Sequence, residues 1–260
     1  MYPQARILSL LVLCVLGLGL LAACADRDRI REEAAQPDAM YETAWNRIQS
    51  GNYQEAMQHL RRLEARHPFT PEGKQAQLDQ IYVSWLMRER DSTVDEADRF
   101  IRENPRSEHL PYAHYMKGLA YFEQHPGPLS RWFGLDMARR DQSSAEQSFA
   151  AFQELVQRFP DSAYADDARQ RMVELRNRLA RHEWYVADYY LRREAYMAAV
   201  GRSTRILEDL QPTPITPYAL DIMAKSYEEL GETTLAEISR NVRDTHYPDH
   251  REGATPPKPE

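Results

Sequence analysis

A pattern of residues that recurs five times constrains the fold of this chain more than any other feature. Each copy has a small residue, a residue one helical turn later that is usually apolar, and a proline that can stop a helix but not continue it. The prolines that close the copies are Pro68, Pro105, Pro160, Pro212 and Pro248, with Pro212 displaced by one residue. Gly51 and Gly231 open the first and last copies at the same distance from their prolines. Matched offsets of this kind indicate a protein built from repeated units.

The repeated unit matches a tetratricopeptide-like helical hairpin, although the match is uneven. Ala44, Gly118 and Ala224 fit the small position of the first helix, whereas Lys117 and Arg243 occupy positions where apolar residues are expected. A single hairpin cannot bury its apolar face, but stacked neighbours can. We therefore predict an all-α fold, a tetratricopeptide-like superhelix of about five helical hairpins. An irregular all-helical bundle is the alternative.

Apolar residues at three- and four-residue spacing predict ten helices. They lie near 39–50, 52–67, 72–89, 92–104, 108–124, 142–159, 163–193, 195–210, 217–230 and 232–246. The seventh is either one long rod or two pieces. Two connections interrupt the pattern, a long one at 125–142 and a proline-rich one at 211–217. The polar, proline-rich residues 251–260 are predicted to form a disordered tail.

The N-terminus has the pattern of a secretory signal peptide. Arg6 precedes an apolar run at residues 7–20, which is shorter than the ~20 residues needed to cross a bilayer. The segment Leu21–Cys24 (LAAC) resembles the bacterial lipobox, which implies cleavage before Cys24 and a diacylglyceryl thioether on its sulfur. An ordinary signal peptide with an incidental cysteine is the alternative. We therefore divide the chain into a signal peptide (1–23), a lipidated tether (24–38), a repeat domain (39–250) and the tail (251–260).

Charge and cysteine content narrow the possible partners. Loss of Arg6 with the signal peptide lowers the net charge from −7 to −8, which argues against nucleic acid and against electrostatic adhesion to anionic lipid. Membrane contact is therefore assigned to acyl chains on Cys24. Cys14 would leave with the signal peptide, so the mature chain would contain no disulfide. Ala25 follows the lipidated cysteine, and resemblance to the sorting rule of enterobacterial lipoproteins implies export to the outer membrane.

The sequence contains no recognisable motif for catalysis or for a cofactor. A phosphate-binding glycine loop and a nucleophile elbow are both missing. His109 and His114, like His246 and His250, are close in sequence but lack the third convergent ligand that a metal site needs. We therefore predict a protein that is not an enzyme and that holds no metal and no cofactor besides the covalent lipid on Cys24.

An aromatic groove is the candidate binding site. In stacked hairpins, the residues of each first helix that point away from the packing positions line the concave face. In the first and third hairpins these residues are Tyr41, Trp45, Ile48, Tyr112, Tyr115, Leu119 and Phe122. Exposed aromatic side chains in a concavity favour binding of an extended peptide or a partner. The same residues could equally be core residues packed on the next hairpin.

The eighth predicted helix places several arginines in an otherwise acidic chain. Arg202 and Arg205 are three residues apart and therefore share a helix face. A solvated charged face accounts for most such pairs. Arginine can also pair bidentately with a carboxylate at an interface, which makes both residues candidates for a partner interface.

Essentially the whole mature chain resembles the BamD (ComL) family of outer-membrane assembly lipoproteins. The resemblance rests on the lipobox, on the repeats, and on the insertion Arg131–Asp136 (RWFGLD) followed by Arg139–Asp141 (RRD). Further similar segments are Asp98–Pro105, Tyr115–Leu119 and Ala187–Tyr190. The repeats alone are widespread, but the insertion combined with lipidation is specific to this family.

The resemblance implies a function that the residues alone do not name. Members of the family are lipid-anchored, non-enzymatic subunits, on the periplasmic face of the outer membrane, of the machine that folds β-barrels into it. Docking on the periplasmic domains of BamA through the C-terminal half is implied, together with association with other Bam lipoproteins. The N-terminal repeats would receive unfolded β-barrel outer-membrane proteins through their C-terminal targeting segment, and Arg202 would contact an acidic residue of BamA. The alternatives are an adaptor lipoprotein for envelope or peptidoglycan enzymes and a lipid-anchored hydrolase.

Overall fold

The computed structural model describes residues 36–122 and 136–256, and its regular structure in these ranges is helical without any β-strand. The ten α-helices of these ranges are α1 (Pro37–Gln49), α2 (Tyr53–Arg66), α3 (Pro71–Leu86), α4 (Arg90–Glu103), α5 (Leu110–Phe122), α6 (Ser143–Arg158), α7 (Ala165–Arg192), α8 (Tyr196–Asp209), α9 (Thr216–Glu229) and α10 (Thr233–His246). A 3₁₀ helix, Met137–Arg139, precedes α6. None of the described helices is both long enough and apolar enough to cross a membrane. The predicted all-α fold is confirmed.

The chain divides into two compact units, Met1–Glu89 and Arg90–Glu260, which we call unit one and unit two. The described part of unit one contains α1 to α3, and that of unit two contains α4 to α10. The predicted signal peptide, Cys24 and the segment 131–135 of the insertion lie outside the described residues.

Three helices enclose the core of unit one. Helix α2 packs against α1 and α3, and α1 also contacts α3. The core residues are Met40, Ala44, Ile48, Ala56, Met57, Leu60, Leu63, Ala76 and Val83. Helix α2 buries Ala56, Leu60 and Leu63 on one face because residues three or four apart in a helix lie above one another. This stripe fixes which faces of α1 and α3 are buried and which remain open.

Helices follow one another in contact through unit two, from α4 to α10. Helix α7 is one continuous rod of 28 residues, Ala165–Arg192, so the seventh predicted helix is a single piece. Besides its neighbours α6 and α8, this rod contacts α9 and the 3₁₀ helix. It therefore forms a common support for several hairpins.

Four turns between consecutive helices repeat one backbone geometry. Gly51, Arg88, Glu194 and Gly231 each lie two residues before the start of a helix, and each has a positive φ, between 59° and 80°. At all four turns, the N–H of the next residue donates to the carbonyl five residues earlier, for example from Asn52 to Arg47 at 2.9 Å. A positive φ strains any residue except glycine. Arg88 and Glu194 adopt it without being glycine, which shows that the helices on either side determine the turn.

The repeat offsets found in the sequence are confirmed by burial. The small residues that follow each turn, Ala56, Thr93, Ser148, Ala199 and Ala236, are all completely or almost completely buried. Helices α2, α4, α6 and α10 each end two residues before a proline of the pattern, whereas α8 ends three residues before Pro212. The prolines therefore lie where a helix stops, as predicted.

Gly118 permits a close approach of α5 and α6. A Cβ atom at this position would lie 2.4 Å from the ring of Phe152, which is fully buried. The Ser148 hydroxyl donates to the Gly118 carbonyl at 2.9 Å across the same contact. The neighbouring Lys117, which departs from the repeat pattern, reaches Asp98 of α4 at 2.7 Å. A charged residue is accommodated there because it leaves the interface and forms an ion pair.

The described end of the predicted connection 125–142 is held against α7. Asp136 accepts a hydrogen bond from the Tyr185 hydroxyl at 2.6 Å, and the Arg139 guanidinium lies 4.2 Å from the centre of the same ring. The Gln142 side chain accepts a hydrogen bond from Arg178 at 2.8 Å. The connection therefore returns to the helical body before α6 begins.

The described residues 251–256 beyond α10 fall within the tail predicted at 251–260. The Gly253 N–H donates to Asp221 at 3.0 Å, and the Glu252 carboxylate lies 3.1 Å from Arg243. Ala254 N–H donates to the Arg251 carbonyl at 3.1 Å. Residues 257–260 lie outside the described part. The buried Arg243 and its partner Asp221 therefore hold residues 252 and 253 next to α9 and α10.

Candidate functional site

An aromatic pair on α1 marks the open face of unit one. Tyr41 and Trp45 are one helical turn apart, and their rings stack with centroids 6.5 Å apart. Tyr41 packs partly against the core, whereas Trp45 is 38% exposed. The Asp79 carboxyl group on α3 lies near the Tyr41 hydroxyl and interacts with it. We call this surface, formed by Tyr41, Trp45 and Asp79, the α1–α3 face.

Asp79 is a buried carboxylate beneath this aromatic pair. Its side chain is 6% exposed, and one oxygen accepts a hydrogen bond from Gln75 at 3.0 Å. The other oxygen, Oδ2, has no hydrogen bond of normal geometry among the described residues, although the Tyr41 hydroxyl lies near enough to interact with this carboxyl group. Burial raises the pKa of Asp79 above its usual range, and the hydrogen bonds only partly oppose this. Burial also raises the pKa of Tyr41, and the negative charge of Asp79 adds to the effect.

Two residues of the predicted groove are core residues. Ile48 is 7% exposed and belongs to the core between α1, α2 and α3, and Leu119 is 9% exposed. They therefore do not offer an open surface to a peptide. Helical spacing predicted that both side chains lie on the open side of their helices. The buried stripe of a packed helix is at least about 100° wide, however, so it also includes these two positions.

The remaining predicted groove residues on α5 pack against α6, α7 and the turn before α7. The Tyr115 hydroxyl donates to Asp167 at 2.6 Å, and its ring stacks on Tyr164 at 5.0 Å. Burial raises the pKa of Tyr115, and the hydrogen bond to Asp167 raises it further. Tyr112 also contacts the Tyr164 ring, at 5.9 Å.

Phe122 is part of the same packed cluster. It meets Phe152 edge to face at 6.2 Å, and the Arg171 guanidinium lies 4.7 Å from its ring centre. Of the predicted groove, Trp45 thus has the most exposed side chain, while Tyr112, Tyr115 and Phe122 stabilise the helix packing of unit two.

The predicted interface arginines neutralise a buried carboxylate of their own chain. Glu183 on α7 is buried and accepts hydrogen bonds from Arg202 at 3.1 Å and from Arg205 at 2.7 Å. Arg205 also pairs with Glu146 of α6 at 2.8 Å. Both guanidinium groups remain partly exposed, so an outside carboxylate can still reach them. The prediction that Arg202 and Arg205 share a helix face is confirmed. Their partner Glu183, which lies about twenty residues earlier, was not predicted from the sequence.

A second buried charge cluster closes the end of unit two. Arg243 occupies an apolar position of the repeat and is nevertheless buried. It pairs with Asp221 of α9 at 2.6 Å and with Asp244 at 2.9 Å. Asp221 also accepts from His250 at 2.8 Å and from the Gly253 N–H. Burial opposes the charge of Arg243, but its hydrogen bonds to carboxylates outweigh this and raise its pKa.

An exposed apolar stripe on α10 was missed by the sequence analysis. Leu235, Ile238 and Val242 lie on one side of this helix, and Ile238 is 51% exposed. The equivalent positions are Glu55, Gln58 and Arg62 in α2, and Ser92, Asp95 and Arg99 in α4. Comparing these positions between repeats would have revealed the stripe, because the last helix alone fills all three with large apolar side chains.

The described residues form no cluster of three or more side chains that could hold a metal ion. The lipid attachment predicted at Cys24 lies outside them. The described residues expose large apolar or aromatic side chains on the α1–α3 face of unit one and on the α10 stripe of unit two.

Known proteins match this chain over most of its length. The family model for YfiO, an outer membrane lipoprotein, matches residues 33–242. Similar proteins named "Outer membrane protein assembly factor BamD" occur in Xylella fastidiosa (strain Temecula1), Neisseria meningitidis serogroup A and Vibrio cholerae. They are 34%, 35% and 33% identical over 89%, 91% and 88% of this chain, and over 79%, 91% and 94% of their own lengths. The chain therefore belongs to the YfiO, or BamD, family of outer membrane lipoproteins.

Proposed function

We propose that this protein is a lipid-anchored, non-enzymatic scaffold on the periplasmic side of the outer membrane that takes part in assembling outer-membrane β-barrel proteins. The similar proteins named as assembly factors support this proposal. The observation that carries it is that each unit of the helical repeat exposes large apolar or aromatic side chains, on the α1–α3 face in unit one and on the α10 stripe in unit two. One surface receives the unfolded substrate, and the other docks the protein on its assembly partner.

The α1–α3 face is proposed to receive the substrate. Unfolded β-barrel proteins expose extended segments in which apolar or aromatic residues alternate with polar ones. The exposed ring of Trp45, backed by Tyr41, offers such a segment an apolar contact. We expect the segment to lie across α1 with an aromatic side chain against this pair.

The change that tests this surface is Trp45→Ala in the full-length protein. We expect photo-crosslinking to a peptide from the end of an outer-membrane β-barrel to fall several-fold, because Trp45 supplies the exposed contact. The unfolding free energy should fall by about 1 kcal/mol or less, since the ring is stacked but not enclosed. Peptide crosslinking and urea unfolding followed by circular dichroism provide the two measurements.

Two variants make the result specific. Tyr189→Ala removes an even more exposed aromatic ring from unit two and should leave crosslinking unchanged. Tyr115→Ala should instead cost about 3 kcal/mol of stability, because this ring is packed and hydrogen-bonded. Unchanged crosslinking in Trp45→Ala would remove the α1–α3 face from substrate binding.

Unit two is proposed to dock on the periplasmic domains of BamA and to contact other Bam lipoproteins. The α10 stripe provides the apolar contact, and Arg202 and Arg205 provide the charged one. Arg202→Glu would place a carboxylate beside buried Glu183, so loss of binding in that variant would also reflect damage to the fold. Ile238→Glu avoids this problem because Ile238 is exposed. We expect it to weaken co-purification with BamA at least tenfold, while Gln58→Glu, at the equivalent position of α2, should have no effect.

The proposed anchor is tested by Cys24→Ser. Oxygen cannot replace the thiolate that accepts the diacylglyceryl group, so the variant should lack lipid and leave the outer-membrane fraction. Mass spectrometry of the mature N-terminus and fractionation of the envelope provide the measurements. A wild-type chain with an unmodified Cys24, or one that begins at another residue, would contradict the proposal.

A further inference from the structure

Asp79 is a buried carboxyl group that no cationic side chain in the described part of its own chain contacts. Of the buried side-chain atoms without a hydrogen-bond partner in that part, Asp79 Oδ2 is the only carboxylate oxygen. Gln75, which binds the other oxygen, is neutral. By contrast, Glu183 is held by two arginines and Asp221 by an arginine and a histidine. A buried carboxylate without a cation is costly, and a positively charged group that comes from outside would remove this cost.

The surroundings of Asp79 suit a cation on a long apolar stem. Tyr41 lies beside the carboxylate, and its ring stacks on Trp45, which reaches solvent. An ammonium or guanidinium group gains both from a carboxylate and from the face of an aromatic ring. The methylene stem of the same side chain can lie along the rings. A free amide or hydroxyl would satisfy Oδ2 but would leave the negative charge and the aromatic faces unused.

We propose that the α1–α3 face binds a lysine or arginine side chain of an extended, unfolded polypeptide, with the cationic group on Asp79 and the stem along Tyr41 and Trp45. This inference rests on the proposed function of this face and adds the chemistry of the segment that it selects. That segment contains a basic residue beside an aromatic one.

The same carboxylate excludes one kind of ligand. A chain-terminal carboxylate placed on this face would bring a second negative charge close to Asp79 in a poorly solvated place, where like charges repel strongly. The basic side chain that binds Asp79 therefore lies within the bound segment rather than at its free carboxyl end.

The test measures the affinity of full-length protein in detergent for four short peptides by fluorescence anisotropy. The parent peptide is N-acetylated and C-amidated, alternates threonine and phenylalanine, and has one central lysine. The second and third peptides replace the lysine with norleucine or glutamate. The fourth peptide ends at the lysine, so that its free carboxylate lies directly after that residue. Each is measured against the wild type, Asp79→Asn, and Glu42→Gln, which removes the same charge from an exposed position of α1.

We expect the lysine peptide to bind the wild type roughly tenfold more tightly than the norleucine peptide, as for a desolvated cation on a carboxylate and an aromatic ring. The glutamate and free-carboxylate peptides should bind more weakly still. Asp79→Asn should abolish these differences, and Glu42→Gln should keep them. Circular dichroism shows whether Asp79→Asn is folded, and Tyr41→Phe, which leaves the carboxylate in place, should keep the preference for lysine.

Two results would overturn the inference. If the lysine and norleucine peptides bind the wild type equally, Asp79 does not bind a cation of the peptide, although the face still binds peptides. If the preference for lysine persists in Asp79→Asn, another residue provides it. Failure of all four peptides to bind would instead contradict the proposed function of the face, together with the inference that rests on it.

Discussion

Replacing Gly73 with alanine is expected to disrupt unit one more severely than any other single methyl group added to a described glycine. A Cβ atom at this position would lie 1.9 Å from the His67 carbonyl oxygen and 2.9 Å from its carbon. These are backbone atoms, so no rotamer change can make room. The turn is also locked, because Thr70 accepts a hydrogen bond from the Gly73 N–H at 3.1 Å and donates one to the His67 carbonyl at 3.0 Å. We expect a loss of about 3 kcal/mol or more of unfolding free energy.

The measurement is urea unfolding followed by circular dichroism, with Gly201→Ala as the matched control. Gly201 is an exposed helical glycine of α8, and a Cβ atom there meets nothing within 4 Å. The control should gain about 1 kcal/mol from helix propensity. Equal stability of Gly73→Ala and Gly201→Ala would show that α3 moves away from the α2–α3 turn without cost.

Replacing Asp221 with alanine is expected to release the C-terminal end of unit two. This carboxylate accepts hydrogen bonds from Arg243, His250 and the Gly253 N–H. Its loss leaves a buried guanidinium without its closest partner and frees the segment after α10. Removing one member of a buried ion pair typically costs about 3–5 kcal/mol, and we expect a loss in this range.

Asp244→Ala provides the comparison, because Asp244 also pairs with Arg243 but is largely exposed. An exposed ion pair contributes about 1 kcal/mol or less, so this variant should remain stable. Thermal unfolding and limited proteolysis of the C-terminal end distinguish the two variants. If Asp221→Ala and Asp244→Ala melt alike and resist protease equally, the cluster does not hold the segment.

The helices were predictable from the sequence because their signals are local. The helix predicted at 39–50 is α1, Pro37–Gln49, and the one predicted at 232–246 is α10, Thr233–His246. Each has an apolar period and a defined stop, and neither signal depends on distant residues. The prolines contribute most, since Pro68 or Pro248 ends a helix wherever the rest of the chain lies.

The exposure of individual aromatic residues was not predictable in the same way. Trp45 and Tyr115 both occupy first-helix positions facing away from the repeat contacts, yet one is open and the other is covered by Tyr164 and Asp167. The difference comes from residues about fifty positions away in the chain. Buried charges follow the same rule, because only the fold shows that Arg202 meets Glu183 whereas Asp79 meets no cation within the described part of the chain.

The long, continuous helix α7 makes part of unit two rigid. At about 1.5 Å per residue, its 28 residues span about 42 Å. A sharp kink would have to break backbone hydrogen bonds inside the helix, since the helix contains neither proline nor glycine. Helices α6, α8 and α9 all pack directly against α7. A displacement of α6, α8 or α9 is therefore expected to move the other two helices with it.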